Sequence, residues 1–226
     1  MKSLQGERVD AATVGENGID GDRRFAIFDA VTGFGLTGRR EPALLFAAAR
    51  MTDGRVEIVL PDGSIARDDD ALSHWLGRAV ALRSSDDERV RRYENPVDAE
   101  HESGEWHAFT GAQGSFRDSP VSAFSLVSTG TLGDWPQRRF RANAVVEGSG
   151  ENDLVGSQVT IGDAVLDIRE RIGRCVMVTR AQPGLDRDLD VLRAVHREHD
   201  HTVSVGATIV REGRVAVGDS LRPSAV

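Results

Sequence analysis

Short strand-like runs recur along this chain, and they constrain its fold more than any other feature. The runs are rich in Val, Ile, Leu and Phe, and turn signals such as Pro61-Asp62-Gly63 and Glu212-Gly213 separate them. Many short strands at close spacing favour a barrel or a sandwich over a helix-wrapped parallel sheet. The predicted strands are Phe25–Asp29, Val56–Leu60, Val80–Arg83, Val121–Val127, Ala144–Glu147, Val159–Ile161, Ala164–Ile168, Val176–Thr179, Thr208–Arg211 and Arg214–Val217.

Helical patterns are few. Asp70–Leu76 begins with acidic residues and has an apolar side, Asp188–Glu198 places Leu189, Leu192 and His196 on one face, and Ser128–Trp135 is a short third candidate. The predicted fold class is therefore mainly β with a few helices (α+β).

The natural divide of the chain is the segment Ser84–Asp118, which is rich in Asp, Glu, Arg, Gly and Ser and has no sustained periodicity. Such a segment is typical of a linker or of a long surface excursion between two β units. We therefore predict an N-terminal β domain at 1–85, a linker or excursion at 86–116, and a second domain at 117–226.

The composition excludes several classes of function. The formal net charge is -8, which argues against a general affinity for nucleic acid or for an anionic membrane. No apolar run is long enough to span a bilayer, and no signal pattern precedes the first strand, so a cytoplasmic protein is expected. Lys2 is the only lysine among the 28 lysine and arginine residues. The arginines provide planar guanidinium groups, which can bind a phosphate through two hydrogen bonds at once.

Cys175 is the only cysteine, so an intramolecular disulfide is impossible. The nearby cations Arg171, Arg174 and Arg180 favour the thiolate, the form that ligates metals and attacks electrophiles. The alternative is a buried thiol that acts as a small hydrophobic side chain.

Other polar clusters leave alternatives open. Arg23 and Arg24 adjoin a strand and are either a phosphate grip or a solvated pair. Arg141 and Asn143 are predicted to share one face of a strand, where Asn143 either binds a ligand or caps an edge. The histidines between 196 and 201 lack zincin spacing, and a solvated helix end is the better interpretation.

Taken together, these motifs resemble the MOSC-domain proteins, named for the C-terminal domain of molybdenum-cofactor sulfurase. The N-terminal part resembles the β-barrel domain that precedes MOSC in the amidoxime-reducing and hydroxylaminopurine-detoxifying enzymes. The matching segments are Lys2-Ser3, Gly21-Asp22-Arg23-Arg24-Phe25, Thr37-Gly38-Arg39-Arg40-Glu41-Pro42, Asp118-Ser119-Pro120, Arg139-Phe140-Arg141-Ala142-Asn143, Ile161-Gly162-Asp163, Arg174-Cys175-Val176-Met177-Val178-Thr179, Leu189-Asp190-Val191-Leu192 and Val217-Gly218-Asp219.

The resemblance implies a MOSC β-barrel preceded by a smaller N-terminal β-barrel domain, and a molybdenum–molybdopterin cofactor. It matches Cys175 to the thiolate that binds molybdenum, which makes Cys175 the expected catalytic residue and metal ligand. The expected cofactor-binding residues are Lys2, Ser3, Arg23, Thr37, Arg39, Arg141, Asn143, Arg174 and Thr179, the last two flanking the metal ligand and steadying its loop.

The implied reaction is the reduction of a small N-hydroxylated or N-oxide substrate by oxygen-atom transfer to molybdenum. A chain with one cysteine cannot ligate an iron–sulfur cluster by itself, so the electrons are expected from a separate electron-transfer protein. Two alternatives remain: a sulfur carrier with a persulfide on Cys175, and a non-catalytic cofactor-binding protein.

Two departures from the family pattern give further expectations. Family members usually carry another strand before the Lys-Ser pair, whereas this chain begins at Met1, so the first strand is expected to be short or missing. An aromatic residue is common in the segment that here reads Val203-Ser204-Val205-Gly206, so a wider or differently shaped substrate pocket is expected at Gly206 or its neighbours.

Overall fold

The computed structural model describes residues 1–52, 55–87, 91–97 and 104–224. The chain forms two compact units and passes between them several times. Unit 1 comprises Met1–Gly6, Arg23–Arg117 and Arg180–Arg187, and unit 2 comprises Glu7–Asp22, Asp118–Thr179 and Asp188–Val226. No helix in the described part of the chain is both long enough and apolar enough to cross a bilayer.

The molecule is mainly β with a few helices, as predicted. The strands are β1 (Ala11–Gly15), β2 (Gly18–Ile19), β3 (Phe25–Asp29), β4 (Ala48–Thr52), β5 (Arg55–Val59), β6 (Ile65–Ala66), β7 (Val80–Ser84), β8 (Arg92–Pro96), β9 (Trp106–Thr110), β10 (Phe124–Ser128), β11 (Ala144–Val146), β12 (Gln158–Ile161), β13 (Ala164–Gly173), β14 (Thr202–Arg211), β15 (Gly213–Ala216) and β16 (Leu221–Pro223). The α-helices are α1 (Asp69–Leu76), α2 (Thr129–Leu132) and α3 (Asp190–Glu198), and the 3₁₀ helices are Pro42–Phe46, Gln137–Arg139, Glu151–Leu154 and Val176–Thr179.

Unit 1 is built from small antiparallel sheets, in which β3 pairs with β7, β5 lies between β4 and β6, and β8 pairs with β9. Helix α1 begins where the Asp68 carboxylate accepts a hydrogen bond from the Ala71 amide at 2.8 Å. It ends at Gly77, whose left-handed backbone is the usual helix stop. Leu72 of α1 packs into the apolar core of the unit with Leu4 and Ile27.

The segment between β7 and β10 contributes to the packing of unit 1. It carries the hairpin of β8 and β9, and its Tyr93 and Phe116 side chains are fully buried with Ala26 and Phe28 of β3. Tyr93 leaves no space for a neighbouring Cβ at Gly111, where an added methyl would lie 2.7 Å from the ring. The residues between 88 and 90 and between 98 and 103 lie outside the described part of this segment.

Unit 2 is organised around a six-stranded sheet with the strand order β11-β10-β14-β13-β12-β16 and a separate three-stranded sheet of β15, β1 and β2. The long strands β13 and β14 pair antiparallel with irregularities near Ile168/Glu170 and Arg171/Gly173. These irregularities bend the strands and change which side chains point inward. Phe124, Leu126 and Leu166 form part of one apolar core, and Val191 and Val195 of α3 pack with Phe140 in another.

Two local predictions were wrong. Val176–Thr179 is a 3₁₀ helix and not a strand, because the Val178 amide and the Thr179 hydroxyl donate back to the carbonyls of Cys175 and Val176. Arg141 and Asn143 do not share a strand face, because β11 begins at Ala144 and Arg141 has a left-handed backbone with φ 55°.

Candidate functional site

Cys175 lies at a sharp change of chain direction in unit 2. The strand β13 ends at Gly173, and the 3₁₀ helix Val176–Thr179 begins directly after the cysteine. The Arg174 amide donates to the His201 carbonyl at 2.9 Å, which ties this bend to the start of β14. The thiol-bearing residue is half-buried, so it is neither a core residue nor a fully exposed one.

Arg174 fastens the bend to its surroundings. Its Nε donates to the Val203 carbonyl at 2.7 Å and its Nη1 to the Phe140 carbonyl at 2.9 Å, while Nη2 donates to the Ser204 hydroxyl. A planar guanidinium can make several such bonds at fixed angles, which a lysine cannot. The position next to the cysteine is therefore fixed by two separate parts of unit 2, the strand β14 and the loop at Phe140.

The loop 139–141 lies beside the cysteine loop. Arg139 is buried and donates through Nη1 to the Val178 carbonyl at 3.2 Å, and Phe140 accepts the bond from Arg174. Arg141 follows Phe140 in the chain and is half-buried. The Arg139 and Arg174 side chains thus connect the loop that carries Arg141 to the Cys175 loop.

Thr179 is fully buried at the end of the 3₁₀ helix. Its hydroxyl donates to the Val176 carbonyl at 2.8 Å. The Asp188 amide donates to the Thr179 carbonyl at 2.9 Å. These contacts hold the loop that carries the cysteine.

Three hydrogen bonds to two residues of unit 2 orient the Asn143 side chain. Its Oδ1 accepts hydrogen bonds from the Ser125 amide at 3.0 Å and the Ser125 hydroxyl at 2.9 Å. Its Nδ2 donates to the Asp22 carboxylate at 3.0 Å. A primary amide has two N–H groups, so one further donor remains beyond these bonds. Asp22 lies within one of the segments that match the family, but its sequence context predicts no role for it.

In unit 1, Phe116 joins two of the predicted cofactor residues. The Lys2 ammonium donates to the Phe116 carbonyl at 3.3 Å, and the Phe116 amide donates to the Arg23 carbonyl at 2.8 Å. The Lys2 amide donates to the Phe25 carbonyl at 2.9 Å. Lys2 is buried and lies 4.6 Å from the centre of the Tyr93 ring, a favourable cation–π distance.

The other predicted residues of unit 1 occupy turns. The Thr37 carbonyl accepts a hydrogen bond from the Glu41 amide at 2.7 Å, and the Thr37 hydroxyl accepts one from the Arg40 amide at 3.3 Å. Arg39 lies half-buried within the same turn. Arg24, the neighbour of Arg23, is exposed and pairs with Asp86 at 2.7 Å.

Backbone strain marks three of the predicted residues. Ser3, Arg23 and Arg141 have φ values of 65°, 51° and 55°, the left-handed region that favours glycine. A side chain in this region raises the energy of the folded state by about 1–3 kcal/mol. Such positions concentrate at ligand sites, where the surrounding structure holds an unfavourable conformation in place. Ser204, which accepts the bond from Arg174, has φ 80° and carried no signal in the sequence.

Ser122 lies directly against Gly206, where a wider or differently shaped pocket is expected. A Cβ at Gly206 would lie 2.9 Å from the Ser122 Cβ and closer still to its hydroxyl, so Ser122 fills that space. Ser122 and Ser119 both donate to the Glu170 carboxylate at 2.6 Å. The sequence does not predict this cluster, because Glu170 is distant from both serines along the chain.

The histidine cluster pairs with its own neighbours. The His196 and His201 rings have centroids 4.2 Å apart, and His199 lies 5.5 Å from Trp135. Among the described residues, no group of three or more His, Cys, Asp or Glu side chains forms an arrangement suited to a metal ion.

A MOSC domain model matches residues 116–222, and a MOSC N-terminal beta barrel domain model matches residues 1–87. The two models follow one another in the order that the sequence predicts and together cover most of the chain. The chain therefore belongs to the MOSC-domain proteins with an N-terminal MOSC-type β-barrel domain.

Comparison with curated proteins finds no match. Among solved structures, YiiM from Geobacillus stearothermophilus shares 14% identity at a TM-score of 0.40, over 53% of this chain and 67% of that chain. A hypothetical protein of known structure shares 15% identity at a TM-score of 0.36, over 48% of this chain and 55% of its own.

Proposed function

We propose that this protein is a molybdenum-cofactor oxidoreductase that reduces N-hydroxylated or N-oxide compounds. The observation that carries the proposal is the placement of Cys175. The half-buried Cys175 lies on a bend that Arg174 fixes to Val203, Phe140 and Ser204, and Arg141, which follows Phe140 in the chain, has a left-handed backbone. Membership of the MOSC family supports the cofactor.

The residues of unit 2 fit the chemistry of such a cofactor. A cysteine thiolate is a soft donor and suits a metal that sulfur ligands otherwise surround. The Arg141 guanidinium suits a phosphate or an electronegative ring edge, since its planar donors bond two acceptors at once. The further N–H of Asn143 suits a carbonyl or ring nitrogen, and its other contacts fix the direction in which that donor points.

Each residue has a separate task in the proposed mechanism. When bound, the molybdenum cofactor supplies oxygen-atom transfer and two-electron redox chemistry. Cys175 holds the metal at a fixed place on the protein, and Arg174 and Thr179 hold the loop that presents the thiol. Arg141 and Asn143 would orient the cofactor, because hydrogen bonds to the groups around a bound metal set its position and its reactivity.

Lys2, Ser3, Arg23, Thr37 and Arg39 belong to unit 1, and their part in cofactor binding stays a prediction. Two features support it for the first three: Lys2 and Arg23 are linked through Phe116, and Ser3 and Arg23 have left-handed backbones. The proposed substrate is a small N-hydroxylated molecule, and a separate redox protein is the proposed electron donor.

The test is the molybdenum and pterin content of the purified protein, together with turnover of a model amidoxime with reduced methyl viologen as the electron donor. The protein is produced in a host that synthesises the cofactor. We expect near-stoichiometric metal and pterin and measurable turnover. Cys175→Ser should abolish turnover but retain much of the pterin, since the phosphate and ring contacts do not involve the thiol. Arg222→Ala, at an exposed position on β16, is the matched control and should keep all three properties.

Other outcomes separate the alternatives. Protein that lacks molybdenum but carries one additional sulfur atom on Cys175 in its intact mass would replace the reductase with a sulfur carrier. A third outcome is a bound cofactor that accepts electrons from reduced methyl viologen but turns over no N-hydroxylated substrate. This outcome would support cofactor binding and contradict the proposed reaction.

A further inference from the structure

Unit 2 contains an open cavity of about 580 Å³ between β11 on one side and β1 and β15 on the other. Both β11 and β15 are edge strands of their sheets, so the cavity lies where the two sheets of this unit leave a gap. A volume of this size is within the range of about 300–1,000 Å³ that is common for small-molecule sites.

The floor of the cavity is apolar and well packed. Val14 of β1, Phe124 of β10 and Ile161 of β12 line it, and all three side chains are buried in the main core of the unit. Side chains packed in this way cannot collapse into the gap without moving the sheets. The floor therefore offers a preformed apolar surface to the body of a ligand.

The rim of the cavity is acidic. Asp10, Glu147 and Asp219 line it, and no lysine, arginine or histidine among the described residues does so. Asp10 and Glu147 are exposed, and one Asp219 oxygen accepts a hydrogen bond from the Ala216 amide at 2.8 Å. Negative charge of one sign beside a low-dielectric wall attracts cations and repels anions.

Apolar side chains continue from the floor to the surface. Val145 on β11 is 40% exposed, and Val9 and Val217 on the opposite side are 48% and 80% exposed. Exposed apolar groups around a concave surface are typical of binding sites. The mouth of the cavity therefore combines apolar contact area with negative charge.

We propose that this cavity binds a small organic cation that has an apolar or aromatic body and a single amine or amidine group. The body packs on Val14, Phe124 and Ile161, and the cationic group lies at the rim near Glu147. The inference does not rest on the proposed molybdenum chemistry. Asn143 is the residue that both features share, since it forms part of the cavity wall.

Three matched compounds test the proposal: 1-naphthylmethylamine, 1-naphthylmethanol and 1-naphthoate. They share a bicyclic body and differ in carrying a positive, a neutral and a negative group. Titration into isotopically labelled full-length protein, followed by amide chemical shifts, gives both the affinity and the location. We expect the amine to bind tightest, the alcohol to bind more weakly and the carboxylate not to bind, with shift changes at Val145, Glu147 and Val217. Equal affinity for the carboxylate, or shift changes confined to residues outside the cavity, would overturn the proposal.

Glu147→Gln isolates the contribution of the rim. Removing one charge at contact distance should weaken amine binding about fivefold and leave alcohol binding unchanged. Glu198→Gln is the matched control, since Glu198 is exposed on α3 and does not line the cavity. An Ala12→Leu variant should fill the cavity and weaken both compounds, provided that its thermal unfolding stays cooperative. Cys175→Ser should bind the amine normally, so loss of the proposed redox function and loss of this site are distinguishable.

Discussion

Two arginine side chains of unit 2 donate hydrogen bonds to backbone carbonyls around the Cys175 bend. Arg139 and Arg174 donate to the carbonyls of Val178, Phe140 and Val203, which are three points around the cysteine bend. Hydrogen bonds from a charged donor to a buried carbonyl are stronger than neutral ones. We infer that these two residues position Cys175, while Arg141 is the arginine of this group that a bound cofactor would contact.

Substitution of Arg174 tests this division of roles. Arg174→Ala removes three donors and should lower the free energy of unfolding by about 2–4 kcal/mol, because Phe140 and Val203 lose charged partners. Arg174→Lys should recover less than half of the loss, since one ammonium cannot reach all three acceptors. Urea denaturation measures both variants, with Arg171→Ala as the exposed control. Equal stability of the lysine variant and the wild type would show that the three bonds do not support the fold.

Gly206 provides a second test at the residue scale. Gly206→Ala should destabilise the protein by about 1–3 kcal/mol, because the new Cβ overlaps the Ser122 side chain. The double variant Gly206→Ala with Ser122→Gly should be more stable than the two single effects predict, and a double-mutant cycle measures this coupling. Gly6→Ala, which has no heavy atom within 4 Å of the added Cβ, is the control. Strict additivity would contradict the proposed overlap.

Some residues of the candidate site could be predicted from the sequence, and others could not. Lys2 and Cys175 are each the only residue of their type, and uniqueness drew attention to both. Ser204 and Glu170 could not be found in this way. Ser204 stands out by its left-handed backbone, and Glu170 by its hydrogen bonds from two serines that are distant in sequence. Neither property has a local sequence signal.

At the scale of elements, hydrophobic runs predicted most strands but not the local turn at the site. Val-Met-Val-Thr has high β propensity, and yet Val176–Thr179 is helical. Its neighbours explain the difference, since the Arg174 and Arg139 side chains hold the chain at both ends of a tight turn. Propensity is outweighed where tertiary contacts of this kind are available. The parts of the site that were hardest to predict are therefore those that bend the chain.

The turn after β3 gives a pH-dependent prediction. Burial alone would raise the pKa of Asp29, but hydrogen bonds from the Thr32 backbone and from Arg78, with further contacts from the Thr32 hydroxyl, lower that pKa below its usual value. A carboxylate whose folded-state pKa is lowered stabilises the fold above its unfolded-state pKa and loses this contribution as the pH falls through the folded-state pKa.

We therefore expect Asp29→Asn to lower the free energy of unfolding at neutral pH by about 1–3 kcal/mol. The difference from wild type should shrink once the pH falls below about 4. Arg78→Met leaves the backbone hydrogen bonds to Asp29 in place. As the pH falls, the free energy of unfolding of this variant should decrease less than that of the wild type. Urea denaturation between neutral and acidic pH measures all three proteins. A difference between wild type and Asp29→Asn that stays constant across this range would contradict the assignment.

At the scale of the whole molecule, the chain returns to each unit more than once. Strands β1 and β2 come early in the sequence, but β1 pairs with β15 near the end, with Ala11 opposite Ala216. Val14 of β1 lies in the main core of unit 2. A boundary read from composition at 86–116 separates these partners, because composition carries no information about long-range strand pairing.

A fragment tests the importance of this pairing. Residues 117–226 alone lack β1 and β2, so β15 should lose its hydrogen-bonded partner and Val14 should leave a gap in the core. We expect weak protection of the Gly213–Ala216 amides in hydrogen exchange and a lowered urea midpoint. A synthetic peptide of residues 7–22 added in trans should raise both, and a scrambled peptide should not. Full protection of the fragment without the peptide would show that β15 does not depend on β1.

The central claim is that Cys175 is a ligand of molybdenum in this MOSC-domain protein. X-ray absorption at the molybdenum edge, on wild type and Cys175→Ser from a cofactor-producing host, measures the sulfur neighbours of the metal. The account predicts that the variant loses one sulfur neighbour and keeps the remainder. Identical sulfur coordination in the two proteins, or wild-type protein that takes up no molybdenum in that host, would contradict it.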